Sequence, residues 1–300
     1  MTRQEPVIAT QNLLKAQPHT SELRRIVRVM SSRKIVVVGV VIIAIVVLVA
    51  LFAPLLAPYN PYKTDLSAHL ENPSPAHWLG TDSLGRDTLS RLIYGSRTSL
   101  MVGIISIFIA ATIGMALGLL AGYYGGPLGA VIMRLIDALM AFPIILLALV
   151  IAALLGGGLF NAIIAIGIGL TAVYARLMAG QVLALKENDY ILASRGMGAT
   201  GLRIMLRHIF PNSFPTMIVL VTMQMGAAIL AEAGLSFLGV GIAPPGASWG
   251  SMVNDGYKYL LYNPALSFAP GVAIMLVVFA FNMVGDGLRD ALDPRLRGTI

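Results

Sequence analysis

Cysteine is absent from these 300 residues, and with it go disulfides, thiolate metal sites and a cysteine nucleophile. Charge is scarce as well. Asp, Glu, Lys and Arg make up 12% of the chain, against about 25% in soluble domains. With 57% hydrophobic residues and a mean hydropathy of +0.82, the chain is too apolar for a soluble globular protein and reads as a polytopic membrane protein. At about 20 residues per span, its length allows roughly five to seven spans, short loops and no large soluble domain. The four histidines, His19, His69, His77 and His208, are scattered over different segments and sides, a poor basis for a metal site or a histidine-based catalytic group. Neither an internal repeat nor a low-complexity segment is visible, so the inverted-repeat pattern of many secondary transporters is missing.

What is present is a succession of apolar runs. Met1 to Lys34 is polar and basic, a tail with an amphipathic end. Ile35 to Ala53 is an apolar run longer than a signal-peptide core, without a clean cleavage site, and reads as an uncleaved first span. Pro58 to Arg97 is a polar loop in which Lys63, Arg86, Arg91 and Arg97 balance Asp65, Glu71, Asp82 and Asp87. Ser99 to Ala121 forms a second span, where Gly114, Gly118 and Gly122 repeat every four residues and make one face smooth enough for another helix to approach. A third span covers Ala130 to Leu155, bent at Pro143, and a fourth covers about Asn161 to Leu183, with Arg176 counted at its inner end. A fifth runs from about Phe214 to Val240, a Pro- and Gly-rich loop follows, and a sixth runs from about Leu266 to Val284.

With the N-terminus inside, 16 Lys and Arg residues fall on the inner side and 5 on the outer. That asymmetry predicts six spans with both termini cytoplasmic. It also accounts for the net charge of +7 without nucleic acid. The expected organisation is a cytoplasmic tail (1–34), a first transmembrane helix (35–57), an extracytoplasmic loop (58–97), a five-helix core (98–288) and a cytoplasmic tail (289–300). The fold class is all-α, a membrane protein of six transmembrane helices.

Between the fourth and fifth spans lies a polar, cationic island, Lys186 to Pro211, KENDYILASRGMGATGLRIMLRHIFP. Gly196, Gly198 and Gly201 fit G-x-G-x-x-G, and Gly196 and Gly201 have the glycine spacing of a phosphate loop. Leu202 and Arg203 stand where such a loop needs Lys and Ser or Thr, no strand precedes, and no acid follows at ribose distance, so this is not a nucleotide site. The local reading is a helix capped by Asp189, interrupted by the three glycines, then a second short amphipathic helix from Leu202 to Ile209 that bears Arg203, Arg207 and His208 and stops at Pro211. Such a segment suits insertion into a groove on a partner.

Ala193, Gly198 and Pro211, with twelve residues between the last two, resemble the cytoplasmic-loop motif of ABC importer permeases. Leu192 stands where the general motif has Glu, Ser194 where it has the second Ala, and Phe210 where it has Leu. Further matches are HWLGTDSLGRDTLS at His77 to Ser90, the stretch Ser236 to Gly241 with Pro244, Pro245, Trp249 and Gly250, and GDGLRDALDP at Gly285 to Pro294. Together these resemble the C-type permease subunit of the dipeptide, oligopeptide and nickel branch, from about Arg33 onward.

The resemblance implies a type I ABC importer permease fold in the inner, or cytoplasmic, membrane of a bacterium or archaeon. It implies a second homologous permease, two ATPase subunits that hold ATP and Mg, an extracytoplasmic solute-binding protein and surrounding membrane lipid as partners. This chain then carries no cofactor and no catalytic residue. Residues 186–211 become the coupling loop, in which Ala193 and Gly198 permit close docking and Arg195, Arg203 and Arg207 contact the ATPase; Ala193, Gly198 and Pro211 fall on motif positions. The expected cargo is di- or oligopeptide, with nickel, glutathione, opines or oligosaccharides as alternatives. A reading from another class, a self-contained channel or ion-coupled carrier, needs midplane charges from this chain alone, and only Glu232 qualifies.

Charges in or beside the spans are costly and mark function or structure. Glu232, some two and a half turns from the outer end of the fifth span, either lines the translocation path or makes a structural hydrogen bond. Arg134 and Asp137, three apart on one helix face, are expected to pair or snorkel rather than touch substrate, and Asp286 to cap its helix or sit in interfacial solvent. The loop motif with Gly80, Asp82, Gly85, Arg86 and Asp87 either receives the binding protein or acts as a scaffold, its charges paired within a compact turn.

Overall fold

The computed structural model describes residues 22–292. The basic residues before Glu22, and Pro294, Arg295 and Arg297, lie outside the described residues. Backbone polar groups in lipid must be satisfied within a segment, and the apolar runs accordingly form helices. These are α1 (Glu22–Ser32), α2 (Lys34–Leu51), the single turn α3 (Ala53–Leu56), α4 (Thr88–Tyr124), α5 (Gly126–Met140), α6 (Ile144–Leu154) and α7 (Leu159–Leu185). They continue with α8 (Asp189–Gly196), the single turn α9 (Gly201–Ile204), α10 (Phe210–Phe237), α11 (Trp249–Tyr257) and α12 (Ala265–Leu292).

The centre of the bundle is the pairing of α4 with α7, and the glycine stripe makes it. A Cβ on Gly118 would lie 2.8 Å from Met178 Cβ, and one on Gly122 2.8 Å from Val182 Cβ, so the two backbones touch where a side chain would hold them apart. Contacts at Ser106 with Ile163, Gly118 with Ala175 and Gly122 with Val182 rise together in both helices, so α4 and α7 run parallel. The chain between them must therefore travel back along α4, about 27 Å at 1.5 Å per residue from Tyr124 to the level of Ser106. Residues 126–154 make that return.

Five helices are each long and apolar enough to span, and α5 with α6 supplies a sixth crossing broken by a 94° bend. The expected bend at Pro143 is thus a break. Pro143 precedes α6 in an extended conformation and has no N–H to continue the α5 ladder.

α10 and α4 run antiparallel, with Ser99 beside Glu232 and Gly103 beside Ile229. α12 runs antiparallel to α10 and to α2, where a Cβ on Gly39 would lie 2.9 Å from the Ala280 carbonyl oxygen. Both ends of the described chain and residues 186–211 consequently lie at one end of the bundle, the near end. Residues 57–87 and α11 lie at the far end. Arg33 pairs with Asp290 at 2.5 Å and ties the start of α2 to the last turn of α12.

Several boundaries differ from the sequence expectation. α4 begins at Thr88, so residues 88–98 are helix, because Asp87 caps it through the Ser90 amide at 2.7 Å. The stretch after α10 contains α11, begun by a Ser248–Ser251 capping box. Its short apolar pattern gives too little periodicity to be seen among Pro and Gly. α12 continues six residues past Asp286, so this exposed carboxylate caps nothing.

Candidate functional site

The cationic island folds onto the near end of α4 and α7. Ile191, Ile204, Met205 and Ile209 are buried against Leu119, Met178 and Val182. Asn188, not Asp189, occupies the cap position of α8, and its side chain makes no capping bond; Asp189 is the first helical residue, where a carboxylate favours the helix dipole.

α8 ends as a Schellman turn. Gly198 N–H donates to the Arg195 carbonyl at 3.0 Å and Ala199 N–H to the Ser194 carbonyl at 3.1 Å. Gly198 has φ +83°, the left-handed conformation that glycine adopts at least cost. Tyr123 at the end of α4 latches the segment, with the Arg195 guanidinium 5.9 Å from its ring centroid and Gly201 packed on its edge.

Pro211 does not stop a helix. α9 passes through a π turn at Met205–Ile209 into α10, giving one helical span over Gly201–Phe237. Phe210 N–H reaches back five residues to the Met205 carbonyl, and this wider turn accommodates the N–H that proline lacks. With one face anchored, the other is open: Leu192, Ala193, Met197, Leu202 and Leu206 are exposed among Arg195, Arg203 and Arg207.

At the far end, the Gly80–Asp87 motif forms a buried charge cluster. Gly80 and Gly85, at φ +71° and +69°, turn the backbone tightly around Asp82. Asp82 accepts from the amides of Leu84 and Arg86 and from Arg86 Nε at 2.7 Å, while Arg91 Nε lies 3.4 Å away. Arg86 and Arg91 are only 4% and 2% exposed. Arg86 also reaches Asp255 of α11 at 3.8 Å. Burial raises the Asp255 carboxyl above the usual carboxylate range, against the pull of Arg91 and Arg86. Asp87 receives His77 Nδ1 at 2.9 Å in addition to capping α4. The cluster locks residues 57–87 and α11 onto the start of α4. No sequence spacing announces Asp255, which lies 169 residues beyond Arg86.

Glu232 lies five residues from the end of α10, not two and a half turns, because the helix closes at Phe237. It is fully buried. Its carboxylate accepts from Ser236 Oγ at 2.7 Å and Ser99 Oγ at 3.3 Å, and Ser248 Oγ reaches Ser236 Oγ at 3.4 Å. The network joins α10, α4 and the cap of α11. No spacing in the sequence links these three serines to Glu232.

Arg134 and Asp137 do not pair. Asp137 pairs with Arg176 across the α5–α7 interface, leaving Arg134 exposed and without an ion pair among the described residues. The cross-helix partner wins because α5 packs on Ala172 and Ala175 of α7, which brings Asp137 beside the neighbouring Arg176.

Residues 114–298 match the family of binding-protein-dependent transport system inner membrane components. The chain belongs to that family of ABC importer permeases. Residues 21–74 of this permease match the N-terminal transmembrane domain of oligopeptide transport permease C. The dipeptide transport system permease protein DppC of Alkalihalophilus pseudofirmus is 43% identical over 92% of this chain and 91% of its own. The glutathione transport system permease protein GsiD of Pectobacterium atrosepticum is 40% identical over 98% of both. Among solved structures, an inward-facing MetNI methionine ABC transporter is similar over 68% of this permease and 97% of that chain, with a TM-score of 0.57 at 22% identity. The fold is therefore that of an ABC importer permease. The protein is a multi-pass inner-membrane transport component.

Proposed function

We propose that this permease moves di- or oligopeptides across the membrane, with ATP hydrolysed by separate ATPase subunits beneath its near end and substrate delivered by a binding protein at its far end. The near end is then cytoplasmic, as the excess of basic residues there supports. The observation that carries the reading is the island's two faces. Its buried isoleucines and Met205 weld it to α4 and α7, while its exposed leucines, Ala193, Met197 and arginines are free to meet a partner. A push on that face is transmitted to the two central helices, which is what coupling requires of a bistable bundle. Peptide as cargo is supported by the dipeptide and glutathione permeases among the relatives. Gly80, Asp82, Gly85, Arg86 and Asp87 form the rigid far-end platform, braced for contact with the binding protein or a second permease.

Affinity purification of this permease from its native membrane is expected to bring down two ATPase chains and a second permease. Uptake into vesicles is expected to require both ATP and the binding protein. Uptake driven by an ion gradient with this chain alone would sink the reading.

Glu232 we assign to the interhelical tie. Glu232→Gln keeps an acceptor for one of the two serines and offers the other hydroxyl an amide N–H to accept from, and is expected to leave uptake within about 3-fold. Glu232→Leu takes the acceptor from the two buried hydroxyls of Ser236 and Ser99 and is expected to lower the stability of the purified protein by about 1–3 kcal/mol. A Gln variant that folds normally but loses transport, or changes its substrate range, would show instead that the carboxylate acts on substrate.

A further inference from the structure

One exposed ion pair joins two membrane-spanning helices. Arg176 is the only charged residue of α7 and lies nine residues from its end at Leu185, about 13 Å along the axis. Asp137 lies eleven residues into α5, about 16 Å from the same end of the bundle. α7, at 27 residues, is about 40 Å long against a hydrocarbon core of about 30 Å, so both residues lie in the near-end part of the membrane-spanning region rather than at the helix ends. Each nevertheless keeps nearly half its side-chain surface open, 47% for Arg176 and 45% for Asp137. α7 is otherwise the most deeply buried span, and Arg176, Gly180 and Leu183 lie on its narrow exposed strip. Charges facing acyl chains are costly, so this strip faces something polar.

Beside the pair, toward the near end, runs a groove of about 370 Å³ lined by Arg176 and by Gly122, Gly125, Gly126, Gly129 and Gly180. That volume is within the range of sites for small ligands. Arg176 is the one charged side chain in its otherwise glycine-rich and apolar wall. Arg134, one turn nearer the end on α5, adds a second cation without an ion pair among the described residues.

We infer that the Asp137–Arg176 pair lies on the water-filled translocation face and is a transit site for a zwitterionic peptide, Arg176 receiving the terminal carboxylate and Asp137 the terminal ammonium. A half-exposed pair is weak and opens at little cost. A substrate carrying both charges replaces each lost partner with an equivalent one, and the guanidinium fork matches a carboxylate. The assignment of peptide termini rests on the peptide reading above.

The absence of cysteine makes the test clean. Gly180→Cys fits, because a Cβ there meets nothing within 4 Å. In the purified complex in proteoliposomes, that thiol is expected to react with a charged, membrane-impermeant reagent, read on this chain by mass. Dialanine supplied with the binding protein is expected to slow the reaction at least about 3-fold. Arg176→Gln and Asp137→Asn are each expected to lower dialanine uptake at least about 10-fold while basal ATPase activity of the complex persists. The exchange of Asp137→Arg with Arg176→Asp is expected not to restore uptake.

A thiol inert to the reagent would place the strip against lipid or a partner chain and overturn the inference. Restoration by the exchange would show a brace between α5 and α7 and overturn it equally. If the binding protein holds a peptide in either case, the inference fails while the peptide reading stands. A non-peptide ligand on the binding protein would overturn the peptide reading and the assignment of the two termini together.

Discussion

Asp82→Ala is expected to destabilise this permease by about 3–5 kcal/mol, the cost of breaking a buried pair from one side. Asp82 is the shared acceptor of Arg86 and Arg91, both almost wholly buried, and of two backbone amides. Its removal leaves one guanidinium with only Asp255, at 3.8 Å, and the other with the Pro61 carbonyl at 3.3 Å. The turn held open by Gly80 and Gly85 also loses its central acceptor. The check is the thermal or denaturant midpoint of the purified protein beside wild type, with Asp255→Asn as comparison. Asp255 is 44% exposed and stands at the edge of the cluster, so its variant is expected to lose no more than about 1 kcal/mol. Equal midpoints for Asp82→Ala and wild type would mean that the far-end cluster does not hold the loop to α4.

Substitution of Gly198 is expected to separate backbone from docking effects. A Cβ there meets no atom within 4 Å, so Gly198→Ala is penalised only by the left-handed backbone, about 1–2 kcal/mol of local stability in the Schellman turn. Gly198→Trp carries the same conformational penalty and places a large ring on the exposed face beside Met197. Uptake by the assembled complex is expected to fall modestly for Ala and at least about 10-fold for Trp, equivalent to about 1.4 kcal/mol in the barrier. Stimulation of ATP hydrolysis by loaded binding protein is expected to be lost with Trp. Wild-type uptake and stimulation in the Trp variant would remove residues 186–211 from the coupling path.

The transmembrane spans are legible because lipid forces long apolar helices, and because the Gly114–Gly118–Gly122 stripe has one physical use, close approach of another helix. α11 is not legible, since nine residues between a proline-rich turn and a tyrosine cluster carry too short a pattern. Pro211 misled for a related reason. A proline ends a helix only where the missing hydrogen bond is not absorbed, and the π turn at Met205–Ile209 absorbs it.

Pairings of charge separate the two levels most clearly. Composition and hydropathy dictate an all-helical membrane protein of six apolar spans, with a cationic segment between the fourth and the fifth. These are one-dimensional quantities, and solvent acts on them residue by residue. Which charge meets which is a property of helices brought together from distant segments. Local spacing put Arg134 with Asp137, yet the parallel packing of α4 and α7 and the return of α5 beside them deliver Arg176 instead. The same packing hides Glu232 among Ser99, Ser236 and Ser248 and carries Asp255 to Arg86. An ionisable group's role depends on what surrounds it in three dimensions, and those neighbours come from parts of the chain that no periodicity connects.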